Sequence, residues 1–181
     1  MRKATLELLI QRGYHGFEIP DAAHNAGVHP TTIYRRWQGK QDLVADAMLA
    51  HMEQQIHVPD TGSLRGDLTE LLHEVTAVLA QPPLLALLRV QVAIADSVEG
   101  VDAARRRFWA TRFRSSAALV EQAMSRGELP AQTDAQELAE FAIAPIYLRV
   151  LVTGGLVDEA FIRSCVERAL RAFGAAIEAD E

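Results

Sequence analysis

The residues whose types and spacing suggest chemistry lie in a short stretch, Ile19 to Trp37. Thr31, Thr32 and Arg35 fall on the side of one helical turn pattern opposite Ile33 and Trp37. Arginine can donate to both guanine acceptors in a major groove; threonine can offer its hydroxyl to a base edge or touch a thymine methyl. Tyr34, Arg36 and Lys40 suit phosphate oxygens, as does the N-terminus of a helix starting near Lys40. His29 and Pro30 open the stretch. His29 is either a DNA contact with some pH sensitivity or a surface histidine of no special role.

Such side chains read a groove only if a compact element holds them. Residues 19–26 and 30–37 have helical spacing and are joined by Ala26-Gly27-Val28-His29. Gly27 can adopt the left-handed conformation that ends the first helix and turns the chain. Val28 is then expected to tuck into a small core. Pro30 fits the first turn of the second helix, where its missing N–H costs nothing. Ala22, Ala23 and Ala26 allow a close crossing, and Ile33 and Trp37 anchor the second helix from beneath. This is a helix-turn-helix pattern. The plainer alternative is a helical hairpin with a solvated basic end.

Apolar residues recur at helical spacing along the whole chain, and no stretch alternates as a half-buried strand does. The expected fold is all-α, with nine helices near 2–12, 19–26, 30–37, 40–56, 64–80, 83–96, 101–126, 134–153 and 158–178. Residues 57–63 form the best linker. The expected division is a DNA-binding domain over 1–46 and a ligand-binding and dimerisation domain over 47–181. Leu64, Leu68, Leu71, Leu72, Val75, Val78 and Leu79 make one apolar stripe, while 83–96 is apolar nearly all round and reads as an enclosed central helix. The helix over 101–126 carries Trp109, Phe113, Val120 and Met124 on one side. Its first half is dense in cations: Arg105, Arg106, Arg107, Arg112 and Arg114. The last two helices are apolar enough to form an antiparallel pair with one side on the body and the other on a second copy. Leu148, Leu151, Phe161, Ile162, Cys165, Val166, Ala169 and Phe173 are the expected interface; the competing reading is that both faces are core.

Of 181 residues, 49% are hydrophobic and 23% charged, an ordinary globular mix that excludes a disordered chain. The net charge of −6 divides into +2 over residues 1–44 and −8 over the rest, either a basic head on an acidic body or chance. Cys165 is the single cysteine, so no internal disulfide forms. The longest apolar runs are too short for a membrane span, and no secretion signal opens the chain. A cytoplasmic protein with no membrane partner is expected. The six histidines show no i, i+4 pair and none lies beside the cysteine, which argues against a metal. No phosphate loop, nucleophile elbow or spaced acid/base pair points to an enzyme or a cofactor.

The chain resembles the TetR-like transcriptional regulators. The residues that carry the resemblance are Ala4…Leu8-Leu9…Arg12-Gly13-Tyr14, Phe17-Glu18-Ile19, Ala23…Ala26-Gly27-Val28, Thr32-Ile33-Tyr34…Trp37…Gly39-Lys40 and Asp42-Leu43. Pro59-Asp60-Thr61-Gly62-Ser63-Leu64-Arg65…Asp67-Leu68, Pro145-Ile146-Tyr147…Arg149…Val152-Thr153-Gly154 and Asp158-Glu159-Ala160-Phe161 resemble one C-terminal class of that family. The resemblance implies an all-α homodimer that binds double-stranded operator DNA through its first three helices. It also implies a cavity in which an unidentified small-molecule effector alters the separation of the two heads. Three departures stand out. The first helix is a turn shorter than is common in the family and lacks a basic arm, so either the start lies upstream or phosphate contacts are fewer. Glu18 and Pro20 replace the usual threonine cap, which predicts weaker capping. His29 stands where serine or threonine often caps the recognition helix.

For the effector, the candidate contacts are His73, Arg89, Gln91, Trp109, Phe113, Met124, Phe141, Tyr147 and Arg149. A drug-sized site is mostly apolar with a few polar anchors, but each of these residues also has a plain packing role, and Arg89 could pair with Asp96. The leading expectation is a ligand-responsive regulator, released as a repressor from a palindromic operator. The rivals are an all-α enzyme or carrier, and a helical small-molecule-binding or interaction protein that has lost DNA binding.

Overall fold

The computed structural model describes residues 1–82, 84, 85, 88, 89 and 101–175, with side chains from 106 onward in the last stretch. Among these the protein has eight α-helices: α1 Arg2–Arg12, α2 Ile19–Asn25, α3 Pro30–Tyr34, α4 Lys40–Gln55, α5 Leu64–Leu79, α6 Val101–Ser125, α7 Ala135–Tyr147 and α8 Glu159–Ala172. A 3-10 turn spans Tyr14–Gly16, and a π-helical segment, Leu148–Thr153, continues α7. Most of the expected helix 83–96 lies outside the described residues, as do Gln91, Asp96 and the Arg105 side chain; Leu84 and Leu88 are buried. The chain divides into two compact units, Met1–Gln55 with Ala80–Ala110, and Ile56–Leu79 with Thr111–Glu181.

In the first unit α1 packs on α4 and α2 on α3. Leu8, Leu9, Phe17, Ile19, Ala22, Ala23, Ile33, Leu43, Ala47 and Met48 are buried. In the second unit α5 packs on α7 and α8, and α7 packs on α8. All seven members of the expected α5 stripe are buried, each contributing about 1.5–3 kcal/mol relative to exposure. Asp134 and Asp158 cap α7 and α8 by accepting from the backbone N–H three residues on, each at 2.9 Å.

The α7 helix departs from its expected span. A single helix over 134–153 is expected, yet α-geometry stops at Tyr147 and widens into π-geometry over Leu148–Thr153. Pro145 lies inside α7. It offers no N–H and crowds the preceding turn, so its effect falls on residues 141–145 and not on the π segment. Gly154, at φ 68°, then ends the segment.

Asp67 is wholly buried on α5. It accepts from the Thr61 N–H at 2.6 Å, the Thr61 hydroxyl at 2.8 Å and Arg126 Nη2 at 2.8 Å. Arg126 also pairs with Glu128, which accepts from the Leu64 N–H at the start of α5. The Pro59–Leu68 motif is therefore a socket for one buried carboxylate. Gly66 has no room for a side chain, since a Cβ there would lie 2.2 Å from Thr61 Oγ1.

Candidate functional site

The first unit contains the expected helix-turn-helix. The α2 helix begins with a capping box in which the Asp21 carboxylate accepts from the Glu18 N–H at 2.7 Å. Weak capping at Glu18 is thus corrected: Glu18 sits in a capping box despite the missing threonine, and its own N–H is held by Asp21. At the other end Gly27 takes φ 67°, and the Gly27 and Val28 N–H groups donate to His24 and Ala23 carbonyls at 3.0 Å. Val28 does not enter the core: it is 37% exposed, since Ala22, Ala23 and Ile33 already close the crossing.

The α3 helix is shorter than expected, ending at Tyr34 with Arg35 as its C-cap. Arg36 and Trp37 continue as a turn, both N–H groups donating to the Ile33 carbonyl at 2.9 Å. Ile33 and Trp37 point inward; Thr31, Thr32, Tyr34, Arg35 and Arg36 are exposed, and Pro30 is half-buried. His29 is the N-cap of α3. Its Nδ1 lies 3.4 Å from the Thr31 N–H and 2.9 Å from the Thr31 hydroxyl. The histidine therefore takes over the task of the serine or threonine it replaces, and it engages the Thr31 hydroxyl in doing so. Thr32 and Arg35 stay exposed.

Lys40 has another use than the expected phosphate contact. Its side chain is only 12% exposed. The ammonium donates to the Phe17 carbonyl, lies 3.2 Å from Glu18 Oε1, and sits over the Tyr14 and Phe17 rings at 4.9 and 4.7 Å. It ties the start of α4 to the Tyr14–Glu18 connection, so its charge is committed inside the head. Burial, with help from Glu18, pushes the Tyr14 phenol above its ordinary pKa and keeps it neutral.

Asp46 on α4 fixes the far end of the reading element. It accepts from Trp37 Nε1 at 3.0 Å and from Arg2 Nε and Nη2 at 2.9 and 2.8 Å. Burial raises its pKa, but the bonds from Arg2 and Trp37 and the charges of Arg2 and Arg36 outweigh this and hold it below the usual value. Neither Asp46 nor this role of Arg2 was expected. A carboxylate nine residues beyond a buried tryptophan is a weak signal.

Residues 2–47 match the family described as bacterial regulatory proteins, tetR family, and residues 58–169 match the tetracyclin repressor-like C-terminal domain. The chain belongs to the TetR family. This family comprises ligand-responsive DNA-binding transcriptional regulators and is not an enzyme family. The HTH-type transcriptional regulator AqdR of Rhodococcus erythropolis is 35% identical over 154 residues, 85% of this chain and 69% of that protein. The DNA-binding transcriptional repressor TetR of Mycobacteroides abscessus is 34% identical over 92% of this chain and 87% of its own length. A solved TetR family transcription regulator superposes with a TM-score of 0.82 at 28% identity, covering 94% of each chain. No described helix is long and apolar enough to cross a membrane.

The residues that a TetR-family protein would use for effector and dimer contacts fall differently from expectation. Ile162, Cys165, Val166 and Ala169 are buried within the second unit of the protomer itself, so they are corrected from interface to core. Their face of α8 is the one packed on α5 and α7. Leu148, Val152 and Leu156 are instead 57%, 72% and 84% exposed. Leu151, Phe161 and Phe173 are half-buried.

The effector candidates are also scattered. Phe141, 47% exposed, meets Phe173 edge to face at 5.8 Å. The Arg149 guanidinium covers the Phe161 ring at 3.5 Å and donates to the Leu156 carbonyl at 2.7 Å. Phe141 and Arg149 are therefore corrected from cavity lining to partners of the outer α7–α8 surface. His73 lies 3.3 Å from Glu159. Arg89 is exposed, while Trp109, Phe113 and Met124 are half-buried, Trp109 against the edge of Phe108 at 5.2 Å. Tyr147 is buried.

Arg112 is the residue that the sequence did not single out. It belongs to the cationic run at the start of α6, yet it is only 4% exposed. It shares a buried helical register with Ser116, Leu119 and Ala123. Arg107 from the same run pairs with Asp42 on α4, which is the ordinary fate of such an arginine.

Proposed function

We propose that the protein is a homodimeric repressor that binds a pseudo-palindromic operator and is released from it by a small-molecule effector in the cytoplasm. The observation that carries the DNA-binding half is the exposed set Thr32, Tyr34, Arg35 and Arg36 on α3 and the turn that follows it, locked from behind by Ile33, Trp37 and Asp46. One such helix lies in each major groove, with half-sites about one helical turn apart. Thr32 and Arg35 read base edges, while Tyr34 and Arg36 hold phosphates. His29 and Pro30 set the entry to this helix, with Thr31 held at His29.

The DNA-binding function belongs to residues 1–46 and the effector and dimerisation functions to residues 47–181. The dimer uses the outer face of the last two helices, centred on Leu148, Leu151, Val152, Leu156, Phe161 and Phe173. Exposed apolar side chains this large and this close in sequence mark an association surface. A relative described as a DNA-binding transcriptional repressor supports repression as the mode. Gel shifts against the DNA upstream of the gene test the reading. Wild type gives a salt-sensitive, sequence-selective shift that Arg35→Ala weakens. A wild-type protein that shifts no upstream fragment at low salt refutes it.

A further inference from the structure

Arg112 is an unusual cation. It is only 4% exposed, its Nη1 donates to Ser116 Oγ at 2.6 Å, and the Tyr147 phenol also interacts with it. Nε and Nη2 meet no acceptor in hydrogen-bonding geometry. The acids of the second unit with ion pairs are engaged elsewhere: Asp60, Asp67 and Glu128 with Arg126, Glu167 with Arg65, Glu159 with His73 and Glu74 with His57. A buried guanidinium left in this condition is strongly unfavourable unless an anion completes it.

The two unsatisfied atoms are informative. Nε and Nη2 form one edge of the planar guanidinium, the edge that presents two parallel N–H bonds to the two oxygens of a carboxylate. The third corner, Nη1, is already fixed by Ser116, whose hydroxyl in turn lies 3.3 Å from the Arg112 carbonyl. The fork is thus held in place before anything binds. Tyr147 brings a buried phenol beside it. Burial keeps that phenol protonated at neutral pH, with Arg112 acting in the opposite direction, so it can donate.

We propose that Arg112, steadied by Ser116 and flanked by Tyr147, is the anchor for the carboxylate of an acidic small-molecule effector. The inference rests on the ligand-responsive reading above and narrows it to one chemical class. A monocarboxylate matches one guanidinium in charge; a phosphate dianion would leave net negative charge buried beside a single cation. The buried side chains of the unit are otherwise mostly apolar, Leu119, Val120 and Ile146 among them, so the class is a carboxylic acid with an apolar body.

The test uses the full chain and matched probes: benzoate with benzamide, phenylacetate with phenylacetamide, and octanoate with octanamide, followed by calorimetry and thermal melting. At least one acid binds and stabilises wild type, and its amide binds at least about ten-fold more weakly. Arg112→Met lowers affinity for that acid by about 10- to 100-fold and leaves the amide unchanged. Arg112→Lys keeps the charge but not the fork and falls between them. Should Arg112→Met not fold, Arg112→Lys and Tyr147→Phe carry the same comparison. Acid and amide binding alike, acid affinity unchanged in the Arg112 variants, or no acid bound at all would each overturn the proposal. The gel shift separates the two readings. A retained operator shift without acid selectivity sinks the carboxylate anchor alone, and acid binding without any shift sinks the DNA-binding reading alone.

Discussion

Asp46→Ala removes the acceptor that joins the reading element to α1 and α4. Two costs follow from the geometry. The indole N–H of Trp37, a residue 8% exposed, loses its bond at 3.0 Å, and an unsatisfied buried donor costs about 1–3 kcal/mol. The Arg2–Asp46 pair is bidentate but half in water, with side chains 46% and 26% exposed, so it adds only about 0.2–1 kcal/mol. The expected loss is about 2–3 kcal/mol, most of it from Trp37. Urea unfolding in a Trp109→Phe background leaves Trp37 as the single indole and reports on the head. Asp46→Asn retains a carbonyl for Trp37 and loses less than about 1 kcal/mol; Arg2→Ala loses a similar small amount. The pH dependence has a fixed sign. The folded pKa of Asp46 lies below the ordinary 3.8, so its contribution is full above that value and disappears as pH falls through the folded pKa. Asp46→Asn lacks that acid limb. Asp46→Ala within about 0.5 kcal/mol of wild type, or Asp46→Asn as damaging as Asp46→Ala, refutes the assignment of the main cost to the Trp37 donor.

Four further outcomes are expected. Arg35→Ala weakens operator binding by about 1–3 kcal/mol at its contact positions, and Arg36→Ala flattens the salt dependence by about one unit of slope; Lys40→Met lowers the melting temperature of the head and leaves that slope unchanged. Arg126→Met costs about 3–5 kcal/mol in calorimetry, because Asp67 stays buried without its cation. Leu148→Glu with Val152→Glu gives a monomer by light scattering, whereas Ala169→Leu unfolds the second unit by overpacking. Burial pushes the Cys165 thiol up, so it reacts with a thiol reagent at pH 8 only after denaturant opens the core.

The helix-turn-helix was legible because its signals are local. Gly27 is there for a left-handed turn, Pro30 for a first helical turn, and Ile33 and Trp37 for one buried face, and each is decided within a few residues. The α5 stripe was legible for the same reason. Lys40 was not, since nothing in its neighbours reveals that a carbonyl 23 residues earlier takes its ammonium. Nor was the short α3. Helical spacing persists through Trp37, but the chain tightens after Tyr34, where the turn onto Ile33 replaces the regular ladder.

The last two helices show why a face is easier to read than its partner. The apolar register of α8 is unmistakable, and Ile162, Cys165, Val166 and Ala169 lie on it. A helical period says only that those residues leave water; it does not say whether a neighbouring helix or a second chain removes them. What separates the cases is a count of apolar faces against available partners. The α8 face is used up by α5 and α7, so the residues left for a second copy are those off the register, notably Leu148, Val152 and Leu156. The same logic applied to a polar residue gives Arg112. Among the cations of α6 whose side chains are described, it is the one that repeats with Ser116, Leu119 and Ala123 at steps of four, three and four. A charge on a buried register must be matched by something, and where no described acid matches it the partner is sought outside the chain.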